Sequence, residues 1–340
     1  MTYLMVLGGL VLLFIGGEGL VRGSVSVARK LNISELVIGL TLVGFGTSVP
    51  ELVTSLRAIN EGAVGIAVGN VVGSNIANIL LVLGIAALIH PIITNPRALM
   101  RDTSVMVIVT ILLCGLIWFD LFSRLAGFML MACLVAYVGF SLFADQTTGD
   151  EASVLHAEEA ETVEANYGVI FGILMALAGL VGVVFGAKLL VDGGVTIARE
   201  FGISETVIGL SIVAVGTSLP ELATSAIAAF RGKADVALGN IIGSNIFNIL
   251  GILGVTALVH PFSVRSVPVG DVTTNAVTSG AGTSLISLGD MSALILSVGL
   301  MVLFAITGRL IARWEGAVLL FGYALYMGLT FNLIPVPAIL

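Results

Sequence analysis

Residues 46–51 read Gly-Thr-Ser-Val-Pro-Glu, and residues 216–221 read Gly-Thr-Ser-Leu-Pro-Glu. The two copies stand a constant 170 residues apart, from Thr47 to Thr217. Each sets one carboxylate, two hydroxyls and a Pro inside a long apolar run. In hydrocarbon an unsatisfied backbone group or a charge is expensive, so a polar break at mid-span restricts the possible folds severely.

The surroundings are those of a membrane protein. The chain is 58% hydrophobic and 10% charged, with a mean hydropathy of +1.14, whereas an ordinary soluble domain is roughly 25% charged. Apolar runs of about 20 residues recur, long enough to cross a bilayer as helices. The net charge of −7 arises in one segment: Asp145, Asp150, Glu151, Glu158, Glu159, Glu161 and Glu164 have no Lys or Arg among them. The other 14 acidic residues cancel the 14 basic ones. The acidic pI therefore describes one loop, and no nucleic-acid partner is expected. That loop lacks the ligand spacing of an EF-hand and reads as a solvated linker. Cys114 and Cys133 both lie in apolar runs and read as membrane thiols, not a disulfide framework. The N-terminal apolar stretch lacks a basic leader and has an equivalent in mid-chain, so it reads as a retained helix.

Ten spans are predicted, at roughly 3–27, 34–58, 64–89, 100–119 and 124–143, then 168–191, 204–229, 236–259, 291–308 and 314–333. The fold class is all-α polytopic, with a first repeat over 1–143, an acidic loop over 144–166 and a second repeat over 167–340. At the fixed offset, 33–56 matches 203–226 at 16 of 24 positions, and 69–80 matches 239–250 at 9 of 12. Past His90-Pro91 and His260-Pro261 a gap is needed, after which Asp102 aligns with Asp290 and Arg124 with Arg313. The gap corresponds to an insertion around 266–288 rich in Gly, Ser, Thr and Val, read as an external loop. Both His-Pro pairs read as span ends. Five spans per half is an odd number, so the second repeat enters from the opposite side, the inverted-repeat plan of secondary transporters. Eight basic residues then fall on the cytoplasmic side (Arg29, Lys30, Arg97, Arg101, Arg231, Lys233, Arg309 and Arg313) if both termini are outside. Only Arg57, Arg124, Arg199 and Arg265 fall outside. The positive-inside rule then favours external termini and a cytoplasmic acidic loop.

Thr47 and Glu51 are four apart on a helix and share one face, with Ser48 beside them. Pro50 removes a backbone donor, so the helix should open there and release carbonyl oxygens. The next span adds Ser74 and Asn78 at i and i+4, and the second half repeats the set as Thr217, Ser218, Glu221, Ser244 and Asn248. All are oxygen donors, with no His or Cys among them. That inventory suits a hard cation such as Ca²⁺ rather than zinc or copper. Glu51 and Glu221 would repel when both are ionised, and a divalent cation, several Na⁺ ions or protons would each neutralise them. Exclusive occupation of one carboxylate pair is a physical basis for exchange. A Pro-kinked, Gly-packed helix crossing explains the Gly and Pro residues. It does not explain a mid-span Glu, which costs about 2.5–3.5 kcal/mol on insertion scales. Glu18 and Arg22, with Lys188 and Asp192 at the equivalent positions in reversed sign, read as ion pairs at the membrane edge.

The doubled Gly-Thr-Ser-x-Pro-Glu with Gly-Asn-x-x-Gly-Ser-x-Ile-x-Asn resembles the paired α-repeats of the calcium/cation antiporter superfamily, and most closely its prokaryotic Na⁺/Ca²⁺ exchangers. The resemblance covers essentially the whole chain. It implies a ten-helix fold around four core helices, with the first and sixth helices sliding against the rest. It also implies that the cation ligands are Thr47, Ser48, Glu51, Ser74, Asn78, Thr217, Ser218, Glu221, Ser244 and Asn248. Backbone carbonyls of Gly44 and Ala214 complete the implied set, with Glu51 and Glu221 as the charged metal ligands. Asn248 stands where several relatives have Asp, which argues against K⁺ co-transport. Thr-Ser-x-Pro-Glu, in place of the Gly-Asn-x-x-Glu of the Ca²⁺/H⁺ branch, favours Na⁺ over H⁺ coupling.

The expectation is a Na⁺/Ca²⁺ antiporter of a prokaryotic inner membrane, monomeric, needing no cofactor beyond its transported ions. The nearest alternative is a cation/H⁺ antiporter. No catalytic constellation such as His-Glu-x-x-His or Gly-x-Ser-x-Gly occurs, so no enzyme activity is expected.

Overall fold

The computed structural model describes residues 2–31, 33–60, 62, 64–93, 96–147, 167–201, 214–265, 286–308 and 310–330. Most of the acidic segment, most of the 266–288 insertion and the first part of the predicted span 204–229 lie outside the described residues.

The described chain is almost entirely helical. Its first half consists of α1 (Thr2–Leu31), α2 (Leu36–Thr47), α3 (Val49–Asn60), α4 (Val64–Ile89), α5 (Pro96–Phe119) and α6 (Arg124–Thr147). The second consists of α7 (Val169–Glu200), a turn at Ala214–Thr217, α8 (Leu219–Phe230), α9 (Ala234–Val259), α10 (Leu288–Gly308) and α11 (Arg313–Thr330). Seven described helices are long and apolar enough to cross a membrane, and α2 with α3, bent by 42°, makes an eighth. α1 and α7 run past their predicted spans, to Leu31 and Glu200. Hydropathy marks the apolar part of a helix, whereas backbone hydrogen bonding continues into the interface.

The halves agree in detail at the 170-residue offset. α3 and α8 begin at Val49 and Leu219, and α4 and α9 at Val64 and Ala234. Both long helices also contain a π-helical turn, over Asn78–Val82 and Asn248–Ile252. Leu83 N–H and Leu253 N–H close these turns onto the carbonyls of Asn78 and Asn248. Single π turns interrupt α-helices chiefly at functional sites. The alignment beyond the gap is matched by two equivalent hydrogen bonds. Tyr137 Oη donates to Asp102 Oδ1 at 3.3 Å, tying α6 to α5, and Tyr326 Oη donates to Asp290 Oδ1 at 3.0 Å, tying α11 to α10.

Glycine sets how the long helices meet. A Cβ on Gly9 would stand 2.8 Å from Gly186 O, one on Gly16 2.8 Å from Gly179 O, and one on Gly23 2.6 Å from Gly172 O. The partners descend as the first numbers rise, so α1 and α7 are antiparallel and touch backbone to backbone at heptad spacing. The loops interlock reciprocally. The strand β1 (Ile92–Ile93), after α4, pairs antiparallel with β2 (Leu310–Ile311), between α10 and α11. At the other end of α5, Phe262 N–H, after α9, donates to Phe122 O, and the two rings stack at 4.7 Å. Each half thus grips the other's turn. An apolar core including Leu40, Ile79, Leu83, Ile241, Ile249 and Leu253 is shared by both halves.

Candidate cation site

The site begins with a broken helix. Ser48 and Ser218 have φ/ψ of −84/6° and −88/5°, just outside the helical basin, and they separate the Gly-Thr turn from the helix that follows. Pro50 and Pro220 occupy the second position of α3 and α8, where a missing N–H costs no intrahelical bond. Each Pro therefore opens a new helix rather than kinking an old one. Glu51 and Glu221 fall in the first turn of those helices, at the positive end of the helix dipole. Both are 0% exposed. Two side chains that would otherwise be prohibitive in the interior are thus set against a compensating backbone charge.

Asparagines clamp the Glu backbones. Asn70 Nδ2 donates to Glu51 O at 3.2 Å and to Ser55 Oγ at 3.0 Å. Asn240 Nδ2 does the same to Glu221 O at 3.3 Å and to Ser225 Oγ at 2.8 Å. Each long helix thus holds the carboxylate-bearing helix of its own half. Across the halves, Ser48 Oγ donates to Glu221 Oε1 at 3.0 Å, and Thr47 Oγ1 donates to Asn240 Oδ1 at 3.0 Å. Ser244 Oγ donates to Gly44 O at 2.9 Å and lies 3.5 Å from Thr47 Oγ1.

The remaining polar atoms matter most. Glu51 Oε1 and Oε2, Glu221 Oε2, Asn78 Oδ1, Asn248 Oδ1 and Ser218 Oγ are all buried and take part in no hydrogen bond with another described residue. Buried polar atoms are almost always paired, and an orphan requires an explanation. Here the orphans are oxygens from both halves, two residues among them carboxylates, together with Asn78 Nδ2; the oxygens are of the kind a hard cation takes. Among the described residues no cluster of three or more His, Cys, Asp or Glu that could hold a metal ion occurs. The polar groups around the carboxylates are hydroxyls, amides and carbonyls.

The sequence-predicted residues divide accordingly. Glu51, Asn78, Ser218, Glu221 and Asn248 carry the orphan oxygens. Thr47, Ser48 and Ser244 are engaged in bonds between the halves. Ser74 is buried. Thr217 ends the Ala214–Thr217 turn and is half-buried. The Gly44 carbonyl, an implied ligand, accepts from Ser48 N–H at 3.3 Å as well as from Ser244 and Thr47. Ala214 is the first residue of its turn. The ligand prediction missed Asn70, Asn240, Asn75 and Asn245, although all four are identities of the 69–80 and 239–250 match and each is an amide in an apolar span. Glu18 pairs with Arg22, as its spacing indicates, and also with Arg231 Nη2 at 2.7 Å, from the end of α8.

The sequence profile described as "Sodium/calcium exchanger protein" matches residues 1–143 and 171–332. The chain belongs to the sodium/calcium exchanger family. The exchanger MaX1 of Methanosarcina acetivorans is 35% identical over 370 residues, covering 97% of this chain and 98% of that one. Inner membrane protein YrbG of Escherichia coli is 36% identical over 254 residues, covering 74% of this chain and 78% of its own. A solved structure of the sodium-calcium exchanger NCX_Mj, soaked with 10 mM Na⁺ and zero Ca²⁺, superposes with a TM-score of 0.78 at 34% identity, covering 96% of this chain and 99% of that one. The chain is thus a membrane antiporter homologue and not an enzyme, and its helical arrangement is that of this exchanger fold.

Proposed function

We propose that this exchanger extrudes Ca²⁺ from the cell against an inward flow of Na⁺, by alternating access to the site between α3, α4, α8 and α9. The observation that carries this reading is the set of buried orphan oxygens on Glu51, Glu221, Asn78, Asn248 and Ser218. Two carboxylates and neutral oxygens fit one Ca²⁺ or several Na⁺ ions, and binding one excludes the other. Thr47, Ser48, Ser74, Thr217, Ser244 and the carbonyls of Gly44 and Ala214 complete the proposed ligand set as hydrogen bonds between the halves exchange for bonds to the ion. A stoichiometry moving net positive charge inward would add about 2.3 kcal/mol per charge per 100 mV of membrane potential.

The same reading has ten spans in two inverted five-helix repeats, with span 204–229, part of which lies outside the described residues, and the α11 span completing the count. It places the termini outside and the acidic loop in the cytoplasm, as the basic residues favour. A bacterial relative named as an inner membrane protein supports that membrane as the location. The unit of function is a single chain without a cofactor.

The test is ⁴⁵Ca²⁺ uptake into proteoliposomes under imposed Na⁺, K⁺ or H⁺ gradients. Uptake driven by internal Na⁺ alone is expected. Uptake driven by a pH gradient without Na⁺ would reassign the chain as a Ca²⁺/H⁺ antiporter, and flux indifferent to any counter-ion would make it a channel.

A further inference from the structure

Asparagine makes an ambiguous cation ligand. One end of its amide is an oxygen that a cation needs, and the other is an NH₂ that repels it. Asn248 can serve the site only if something decides which end faces inward. The structure holds a chain of contacts that makes this decision. Asn75 Nδ2 donates to the backbone carbonyl of Asn245 at 3.4 Å. A carbonyl can only accept, so the nitrogen of Asn75 must face it and the oxygen of Asn75 must face the other way. That oxygen accepts from Asn248 Nδ2 at 3.0 Å. Asn248 is left with Oδ1 pointing away from Asn75, and that atom is one of the buried orphans, on the π turn that packs against the Glu51-bearing helix α3. Asn75 and Asn248 are 1% and 0% exposed, so water does not compete for these bonds.

The two-fold counterpart is not made. The equivalent bond would run from Asn78 Nδ2 to Asn245 Oδ1, and both atoms are buried without a hydrogen-bond partner among the described residues. Asn245 instead turns its Nδ2 onto Ile241 O of its own helix, at 2.7 Å. One amide of the site is therefore held, and the other has no such restraint.

We propose that Asn75 is a positioning residue of the cation site, which fixes Asn248 with its oxygen toward the ion. This rests on the exchanger reading, and the experiment separates the two. Partners behind a metal ligand typically change metal affinity by about 10–100-fold when removed. In Na⁺-loaded proteoliposomes, Asn75→Leu, of the same shape but without the amide, is expected to raise the KM for ⁴⁵Ca²⁺ by about 10-fold or more, with a smaller change in maximal rate. Asn75→Ala serves the same purpose if the Leu variant does not yield monodisperse protein. The discriminating partner is Asn248→Asp. A carboxylate offers oxygen at either end and needs no orienting, so adding Asn75→Leu to Asn248→Asp is expected to leave KM unchanged. A structural role for Asn75 would impose the same penalty in both backgrounds, and that result overturns the proposal, as does an unaltered KM in the single variant. Absence of Na⁺-driven uptake by the unsubstituted protein would instead reject the exchanger reading.

Discussion

Thr47 and Asn240 meet on one side of the site, and Thr217 and Asn70 are their counterparts on the other. On the first side everything is closed: Thr47, Asn240, Gly239 and Gly243 are buried, and Thr47 and Ser244 bond across to Asn240 and Gly44. A Cβ on Gly239 would stand 2.9 Å from Leu40 N, and one on Gly243 2.6 Å from Leu40 Cα. On the second side Thr217, Gly69, Asn70 and Gly73 are only half-buried. The residues that the offset sets opposite them, 206 and 210, lie outside the described residues. Nearly identical motifs thus differ in burial. Two-fold related sequences can hold a site in two equivalent asymmetric arrangements, and alternating access requires only that the halves trade roles.

Removing a carboxylate is the largest perturbation, and it should ignore the asymmetry. Glu51→Gln and Glu221→Gln are each expected to abolish Na⁺-driven ⁴⁵Ca²⁺ uptake. Near-normal uptake by both variants would refute the cation site.

Glycine substitution should sharpen the contrast. Gly243→Ala drives a methyl into the backbone of Leu40 and is expected to cost about 1–3 kcal/mol, read as a lowered Tm in detergent. An unchanged Tm would mean that α2 yields to the added methyl at little cost.

The asparagines give a finer test. Asn240→Ala removes a partner from Thr47, Ser225 and the Glu221 carbonyl, and Asn70→Ala removes one from Ser55 and the Glu51 carbonyl. Each buried group left unsatisfied costs about 1–3 kcal/mol. Asn240, 0% exposed where Asn70 is half-buried, should show the larger loss of thermal stability. The smallest effect is expected at Glu18, whose partners Arg22 and Arg231 are partly exposed. Glu18→Gln should change stability by about 1 kcal/mol or less, and less again at high salt.

Much of the site was legible because it is written twice. Glu51 and Glu221 stood out as charges in apolar runs, and Ser48 and Ser218 as the polar break beside a Pro. The helix does break there, although the two prolines act as first-turn residues of α3 and α8. The π-helical turns at Asn78 and Asn248 have no sequence signature that periodicity can detect, because one extra residue in a turn leaves the apolar run intact. Asn70 and Asn75 look alike in sequence. Only their contacts distinguish an amide that clamps a Glu backbone from one that orients a ligand. The reciprocal gripping of the loops, β1 on β2 and Phe122 on Phe262, joins residues far apart in the chain and leaves no local trace.

The sequence by itself determined that this is a duplicated helical membrane protein with two buried carboxylates and an all-oxygen donor set. Burying such groups in lipid is expensive enough that two copies call for a cation or a proton to offset the charge. Tertiary structure alone decided which oxygens remain free for the ion, which are held in bonds between the halves, and which of two equivalent sides is closed. Those outcomes depend on distances between helices, and an internal repeat in the sequence is symmetric where the folded molecule is not.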